Sequence, residues 1–175
     1  MLRILLVSAI CVLSAAGAWA LDVAPSGFLV RHELMIGAPA PKVYESLLDV
    51  GSWWSDKHTY SGDRHNLSID ARAGGCFCEK LPSGAVEHMR VVYLKANEAL
   101  RLSGALGPLQ AHGVAGAMTW RLSPAASGTK VELTYSVGGF MAGGFETIAP
   151  AVETVLKEQA ERLKRYLETG APAAK

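Results

Sequence analysis

The chain has 175 residues, with 17 Lys+Arg against 16 Asp+Glu and three cysteines. Half of its residues are apolar and 19% are charged, which excludes a disordered or low-complexity chain and suits one domain with a sizeable core. A formal charge of +1 supplies no basic stripe, so no nucleic-acid partner is expected.

The first twenty residues read as a secretory signal peptide. Arg3 supplies a positive charge, Ile4 to Ala16 is an apolar run broken only by two serines, and Ala18-Trp19-Ala20 fits the small-residue cleavage pattern before Leu21. Cys11 follows Ile10 rather than a small residue, which argues against a lipid anchor. An uncleaved anchor would need about 20 apolar residues. A cut after Ala20 takes Arg3 away and predicts an electroneutral periplasmic or secreted protein without stable membrane insertion. The expected organisation is a signal peptide over residues 1–20, one domain over 21–170 and a disordered tail over 171–175.

Phe28 to Ile36 reads as a strand closed by Gly37. Pro39-Ala40-Pro41 opens a short helix with Val43, Leu47 and Val50 on one stripe, ended by Gly51. A loop follows through Trp53, Trp54, His58 and Tyr60 to His65. Strand-like runs then cover Leu67 to Ala73, Cys76 to Leu81, Val86 to Leu94, Leu100 to Ser103, Met118 to Leu122 and Lys130 to Val137. Pro82-Ser83-Gly84 and Ala126-Ser127-Gly128 are hairpin turns. Met118, Trp120 and Leu122 alternate with Thr119 and Arg121, and Val131, Leu133, Tyr135 and Val137 with Lys130, Glu132 and Thr134, as in half-buried antiparallel strands. Gly138 to Gly144 lacks the Lys-Ser/Thr of a phosphate loop and reads as a flexible hinge or a turn. A long helix closes the chain, capped by Thr147, with Ile148, Val152, Val155, Leu156, Leu163, Tyr166 and Leu167 at helical spacing and Lys157, Glu158, Glu161, Arg162 and Lys164 outside.

Cys76 and Cys78 bracket Phe77. Residues two apart on a strand share a face but lie about 6.6 Å apart at 3.3 Å per residue. A disulfide therefore needs a backbone bulge, which the preceding Gly74-Gly75 could supply. Buried thiols, a disulfide and a thiol redox site all stay open. No further ligand stands at metal-binding spacing, so neither metal nor cofactor is expected.

The order of elements resembles the START/SRPBCC superfamily, which includes birch-pollen-allergen-like proteins and polyketide cyclases. The closest resemblance is to the domain named for activating the ATPase of a heat-shock chaperone. It rests on Ala38 to Tyr44 entering the first helix, Trp53-Trp54, Ala73-Gly74-Gly75-Cys76-Phe77, Val91 to Leu100, Gly128 to Val131 and the terminal helix. Cysteines after Gly-Gly depart from that domain's pattern, and an exported chain could not serve a cytosolic chaperone. The resemblance implies an α+β helix-grip fold: a curved antiparallel sheet wrapped around the long C-terminal helix, with two short helices after the first strand. It also implies a cavity between sheet and helix for a small hydrophobic ligand.

Alternation names Met118, Trp120, Leu133 and Tyr135 as inward candidates, with Ile148, Val152 and Val155 opposite. On Val86 to Leu94 either face could turn inward. The resemblance favours Val86, His88, Arg90, Val92 and Leu94, which would bring His88 and Arg90 to the cavity beside the cysteines unless both sit at a solvated rim. If Phe77 points inward, the cysteines face out. Trp53, Trp54 and Tyr60 form either a lid or a core plug, and Gly104 to Gly113 is a second apolar loop that could gate entry. The expected function is binding of a hydrophobic small molecule. A cofactor-free cyclase or lyase, with His88 as base and Arg90 or Tyr135 stabilising an enolate, is the alternative. A C-x-C thiol redox protein is the third reading.

Overall fold

Period-two alternation dominates from residue 27 to 140, and the chain spends it on a single antiparallel sheet. The computed structural model describes residues 19–173. Its strands are β1 (Trp19–Ala24), β2 (Gly27–Ile36), β3 (Leu67–Ile69), β4 (Cys76–Leu81), β5 (Gly84–Lys95), β6 (Ala99–Ser103), β7 (Gly113–Ala125) and β8 (Gly128–Phe140). They lie side by side in the order β1-β2-β8-β7-β6-β5-β4-β3. Helix α1 (Ala40–Leu48) follows β2, and helix α2 (Ile148–Thr169) crosses the sheet. This is the expected helix-grip arrangement, with 3-10 turns at Val50–Ser52, Asp56–His58 and Arg64–Asn66 in place of a second short α-helix.

β1 is a strand that the sequence reading did not anticipate. Most of the expected leader lies outside the described residues, but Trp19 and Ala20 pair with His32 and Arg31 of β2. The tail expected over 171–175 is described as far as Ala173, and the Pro172 carbonyl accepts a bond of 3.1 Å from Arg165. β3 stops at Ile69 rather than Ala73, because Arg72 and Gly75 donate to Asp70 and Arg72 carbonyls and turn the chain into β4. Thr147 precedes α2 but already has helical dihedrals, so its side chain makes no cap. The Phe145 carbonyl accepts from Ala149 N instead.

The core lies between the sheet's concave face and α2. Val30, Ile36, Leu100, Val131, Leu133 and Tyr135 of the sheet are fully buried, as are Leu156, Ala160 and Leu163 of the helix. Burying each such aliphatic side chain is worth roughly 1.5–3 kcal/mol, which is why the stripe rather than helix propensity fixes α2. Trp53 plugs this core: it is 1% exposed, meets Trp120 at 6.0 Å between ring centroids and donates Nε1 to the Ser46 carbonyl at 2.8 Å.

Candidate functional site

One end of the grip is not filled. A cavity of about 290 Å³ opens between the first half of α2 and strands β3 to β5. Ile148, Ala151, Val152, Val155 and Leu156 form its helical wall, and Leu67, Phe77 and His88 its sheet wall. Trp54 to Tyr60, without Ser55 and Asp56, and Leu106 to Pro108 close the sides.

Of the residues expected in the site, Trp54, Tyr60, His88, Val152 and Val155 line this cavity, as does Ile148. Trp53, Met118, Trp120, Leu133 and Tyr135 do not. They face inward, as alternation requires, but the fully packed part of the grip uses them as core. Tyr135 also has its hydroxyl committed: it donates to the Gly104 carbonyl at 3.1 Å and accepts from Leu106 N at 2.9 Å. Burial pushes its pKa up to about 12, opposed by the bond from Leu106. This phenol anchors the 104–112 loop and is unavailable to an enolate.

Arg90 is the second correction. It lies on the convex face, pairs with Glu87 and donates to the Gly74 carbonyl at 2.9 Å. The cause is a bulge in β5. Phe77 pairs with Met89 but Cys78 pairs with Glu87, so His88 has no partner on β4. His88 and its neighbour Met89 consequently both turn inward, at 5% and 1% exposure. The phase is reversed as far as Val91, after which a second irregularity leaves Val92 and Tyr93 both exposed and returns Leu94 to the core side. Val86, His88 and Leu94 follow the favoured face, Met89 and Val91 the other, and Val92, expected inward, is exposed.

The same phase places Phe77 inward, so Cys76 and Cys78 face out and are only half-buried. Their sulfurs are bonded to each other and their Cα atoms are 5.3 Å apart. The irregularity lies at Phe77/Cys78, not at Gly74-Gly75, where Gly74 (φ +78°) instead turns the chain into the strand.

Glu79 is the residue that sequence reasoning missed. It is completely buried, and its carboxylate lies 2.9 Å from His88 Nε2 while accepting from Tyr60 N and Ser61 N. Burial would raise its pKa, but the bonds from Ser61, Tyr60 and His88 outweigh it and hold Glu79 below the usual carboxylate range. Burial lowers the pKa of His88 despite the opposing pull of Glu79, so the ring is neutral near pH 7. An ionised Glu79 fixes the hydrogen on Nε2. Nδ1 is then the lone-pair nitrogen, and it is buried without a protein partner. Tyr60 stacks on this ring at 5.9 Å and Phe77 meets it at 5.1 Å. The only signal in the sequence was an acidic residue two positions from Phe77 on the same face.

The Trp loop is fastened from α2. Arg162 donates to the Trp53 and Trp54 carbonyls at 2.9 and 2.8 Å, Gln159 accepts from Ser55 N at 2.8 Å, and Glu158 lies 3.0 Å from His58 Nε2. Glu158 and Arg162 thus face this loop rather than open solvent.

A curved sheet gripping one long helix, with a cavity at one end, has a family to match. Residues 28–168 match the family described as polyketide cyclase/dehydrase and lipid transport. The chain belongs to that family. It is of the SRPBCC type, as the order of motifs implied. Among solved structures it is similar to CalU16 from Micromonospora echinospora, at 17% identity and TM-score 0.58, covering 90% of this chain and 87% of that one. A protein from Rhizobium leguminosarum matches at 15% identity and TM-score 0.63, covering 86% and 98%. The Aha1 dimer from Colwellia psychrerythraea matches at 17% identity and TM-score 0.58, covering 81% and 97%. At such identities the likeness is one of fold. No curated protein matches the chain in sequence. Among the described residues, no helix is long and apolar enough to cross a membrane, and no group of three or more His, Cys, Asp or Glu is placed to hold a metal.

Proposed function

We propose that this family member is an exported protein that binds a mostly apolar small molecule between α2 and strands β3 to β5. The observation that carries the reading is the cavity itself: mostly apolar walls with His88 among the lining residues, a ring whose Nδ1 is buried without a protein partner. An unsatisfied polar atom of that kind costs about 1–3 kcal/mol, and a ligand donating one hydrogen bond there would recover it. The site selects a neutral donor such as a hydroxyl over a carboxylate, because the ionised Glu79 stands behind the ring. Export rests on the signal-like first twenty residues.

Val152→Trp tests the binding. Val152 is half-buried on the cavity wall, so a larger side chain there fills the space without entering the packed core. A neutral apolar fluorescent probe such as N-phenyl-1-naphthylamine should bind the parent and lose at least about tenfold affinity in the variant, with circular dichroism unchanged. Equal binding by both would remove this cavity as the site.

A second reading, a cofactor-free cyclase or lyase, is favoured by the Glu79–His88 pair. A neutral imidazole backed by a carboxylate is the arrangement of a general base: Nδ1 takes a proton from an acidic carbon, and Glu79 stabilises the resulting imidazolium. The electron pair left on carbon becomes an enolate. Lys57, His58, Thr59 and Tyr60 are the polar cavity-lining residues available to it, in place of Arg90 and Tyr135. Deuterium uptake from heavy water into an aryl 1,3-diketone is the measurement. Enhancement that falls about a hundredfold in His88→Ala supports catalysis, and no enhancement by the parent leaves binding alone.

A further inference from the structure

The sulfur pair is not part of the cavity, yet it stands on the strand that builds it. Two residues of regular strand advance about 6.6 Å, whereas Cys76 and Cys78 have Cα atoms 5.3 Å apart. β4 is therefore contracted at Phe77, and β5 alongside it carries one residue more over the same stretch. That extra residue is His88. Adjacent residues of a regular strand face opposite ways. Only the bulge lets His88 and Met89 share the concave face, and only from there does His88 reach Glu79, the residue after Cys78.

We infer that the Cys76–Cys78 disulfide is a redox-responsive positioning element that sets His88 against Glu79, so that the cavity's polar group is assembled in the oxidised protein and released on reduction. The inference builds on the cavity reading above but concerns how the site is held. The sulfurs sit on the convex face, half-buried, where a reductant can reach them without entering the cavity. A dithiol supplies the chemistry. One of its thiolates attacks a cysteine sulfur, the S–S bond breaks, and the departing cysteine takes a proton. The second thiol of the reductant then displaces the other cysteine, which is protonated in turn. Two electrons and two protons pass to Cys76 and Cys78, and the reductant leaves as its own disulfide. With the tie gone β4 can extend and the extra residue in β5 loses its cause; with Met89 kept opposite Phe77, regular alternation then sets His88 opposite Cys78 on the convex face, off Glu79. In an oxidising compartment the bond persists, and in a glutathione-rich one it would be lost.

The experiment follows the His88 ring by NMR in the intact protein, oxidised and after dithiothreitol, with a denatured mass spectrum reporting the sulfur state. Reduction should remove the slowly exchanging Nε2–H signal of the Glu79-bonded ring and move the imidazole pKa up towards its ordinary value. N-phenyl-1-naphthylamine affinity should fall about tenfold in the same sample. The Cys76→Ser/Cys78→Ser double variant should behave as the reduced protein and ignore reductant. A His88 resonance and titration unchanged in protein shown by mass to be reduced would overturn the inference. So would thiols that remain free after oxidant treatment. If the double variant does not fold, reduction of the parent decides alone. Should the probe bind neither form, the cavity reading fails, while the His88 titration still decides the role of the disulfide.

Discussion

Tyr135 shows how one side chain can be expected in a site and instead hold the wall of that site. Its ring lies over Gly116, where an added Cβ would stand 2.6 Å from Cε2 and 2.9 Å from the Gly104 carbonyl oxygen. Glycine is needed there for the close approach rather than for its backbone freedom. Gly116→Ala should push the phenol off Gly104 and Leu106 and cost roughly 1–3 kcal/mol by chemical denaturation. It should also loosen the Leu106–Pro108 edge of the cavity, read as faster amide exchange at Leu106. Unchanged exchange would mean that Tyr135 is packing alone.

At the scale of elements, α2 does two jobs with two faces. Leu156, Ala160 and Leu163 bury against the sheet, while Glu158, Gln159 and Arg162 reach across to the loop carrying Trp53, Trp54 and His58. Arg162 satisfies two backbone carbonyls that no strand partner could serve. Arg162→Ala should free both, lower stability by about 1–3 kcal/mol and weaken probe binding through a disordered Trp54. Arg162→Lys should rescue only part of this, since a single ammonium lacks the fork that serves two carbonyls. An alanine variant with parental stability and binding would show that the loop is held by its tryptophans instead.

For the whole molecule, the acid side of the stability curve is set by two buried histidines. His32 of β2 has a fully buried side chain, with neither ring nitrogen hydrogen-bonded and Glu153 Oε1 3.9 Å from Nε2. In the chain that still carries its first twenty residues, Trp19 covers it at 4.4 Å between ring centroids, with Lys157 5.0 Å above the indole, a cover that a cut after Ala20 removes. Burial lowers the His32 pKa to about 4; Glu153 opposes the shift and Lys157 adds to it. His88 is lowered from the same cause, offset by Glu79. Between the folded and unfolded values only the unfolded chain binds the proton, so stability rises with pH across that window. Unfolding free energy should therefore fall by roughly 2–3 kcal/mol from His32 alone between pH 7 and pH 4. Glu79, held below its ordinary value, adds a further loss at the lower end of that range as it protonates. His32→Phe, which keeps a ring and removes the titration, should flatten the upper part of the slope, and an unchanged slope would place the acid sensitivity elsewhere.

The sequence by itself determined most of the elements and their order, β1 excepted. Alternation is a local, two-residue property and helical spacing a local, four-residue one, so β2, β8 and α2 could be read from the chain within a few residues, and β7 only through its middle, Met118 to Leu122 of Gly113–Ala125. The same patterning named the inward faces of β7 and β8 correctly, and the order of motifs pointed to the family. Tertiary structure decided which inward residues line a space and which pack solid. Met118, Trp120 and Leu133 share a face and a chemistry with residues that could line a cavity, and only the distance between α2 and each part of the sheet separates the two. It also decided the phase of β5, because a bulge belongs to a pair of strands and His88 becomes an extra residue only when β4 is set beside it. Glu79 acquired its meaning in the same way, as a strand glutamate in the chain and the buried partner of His88 in the fold.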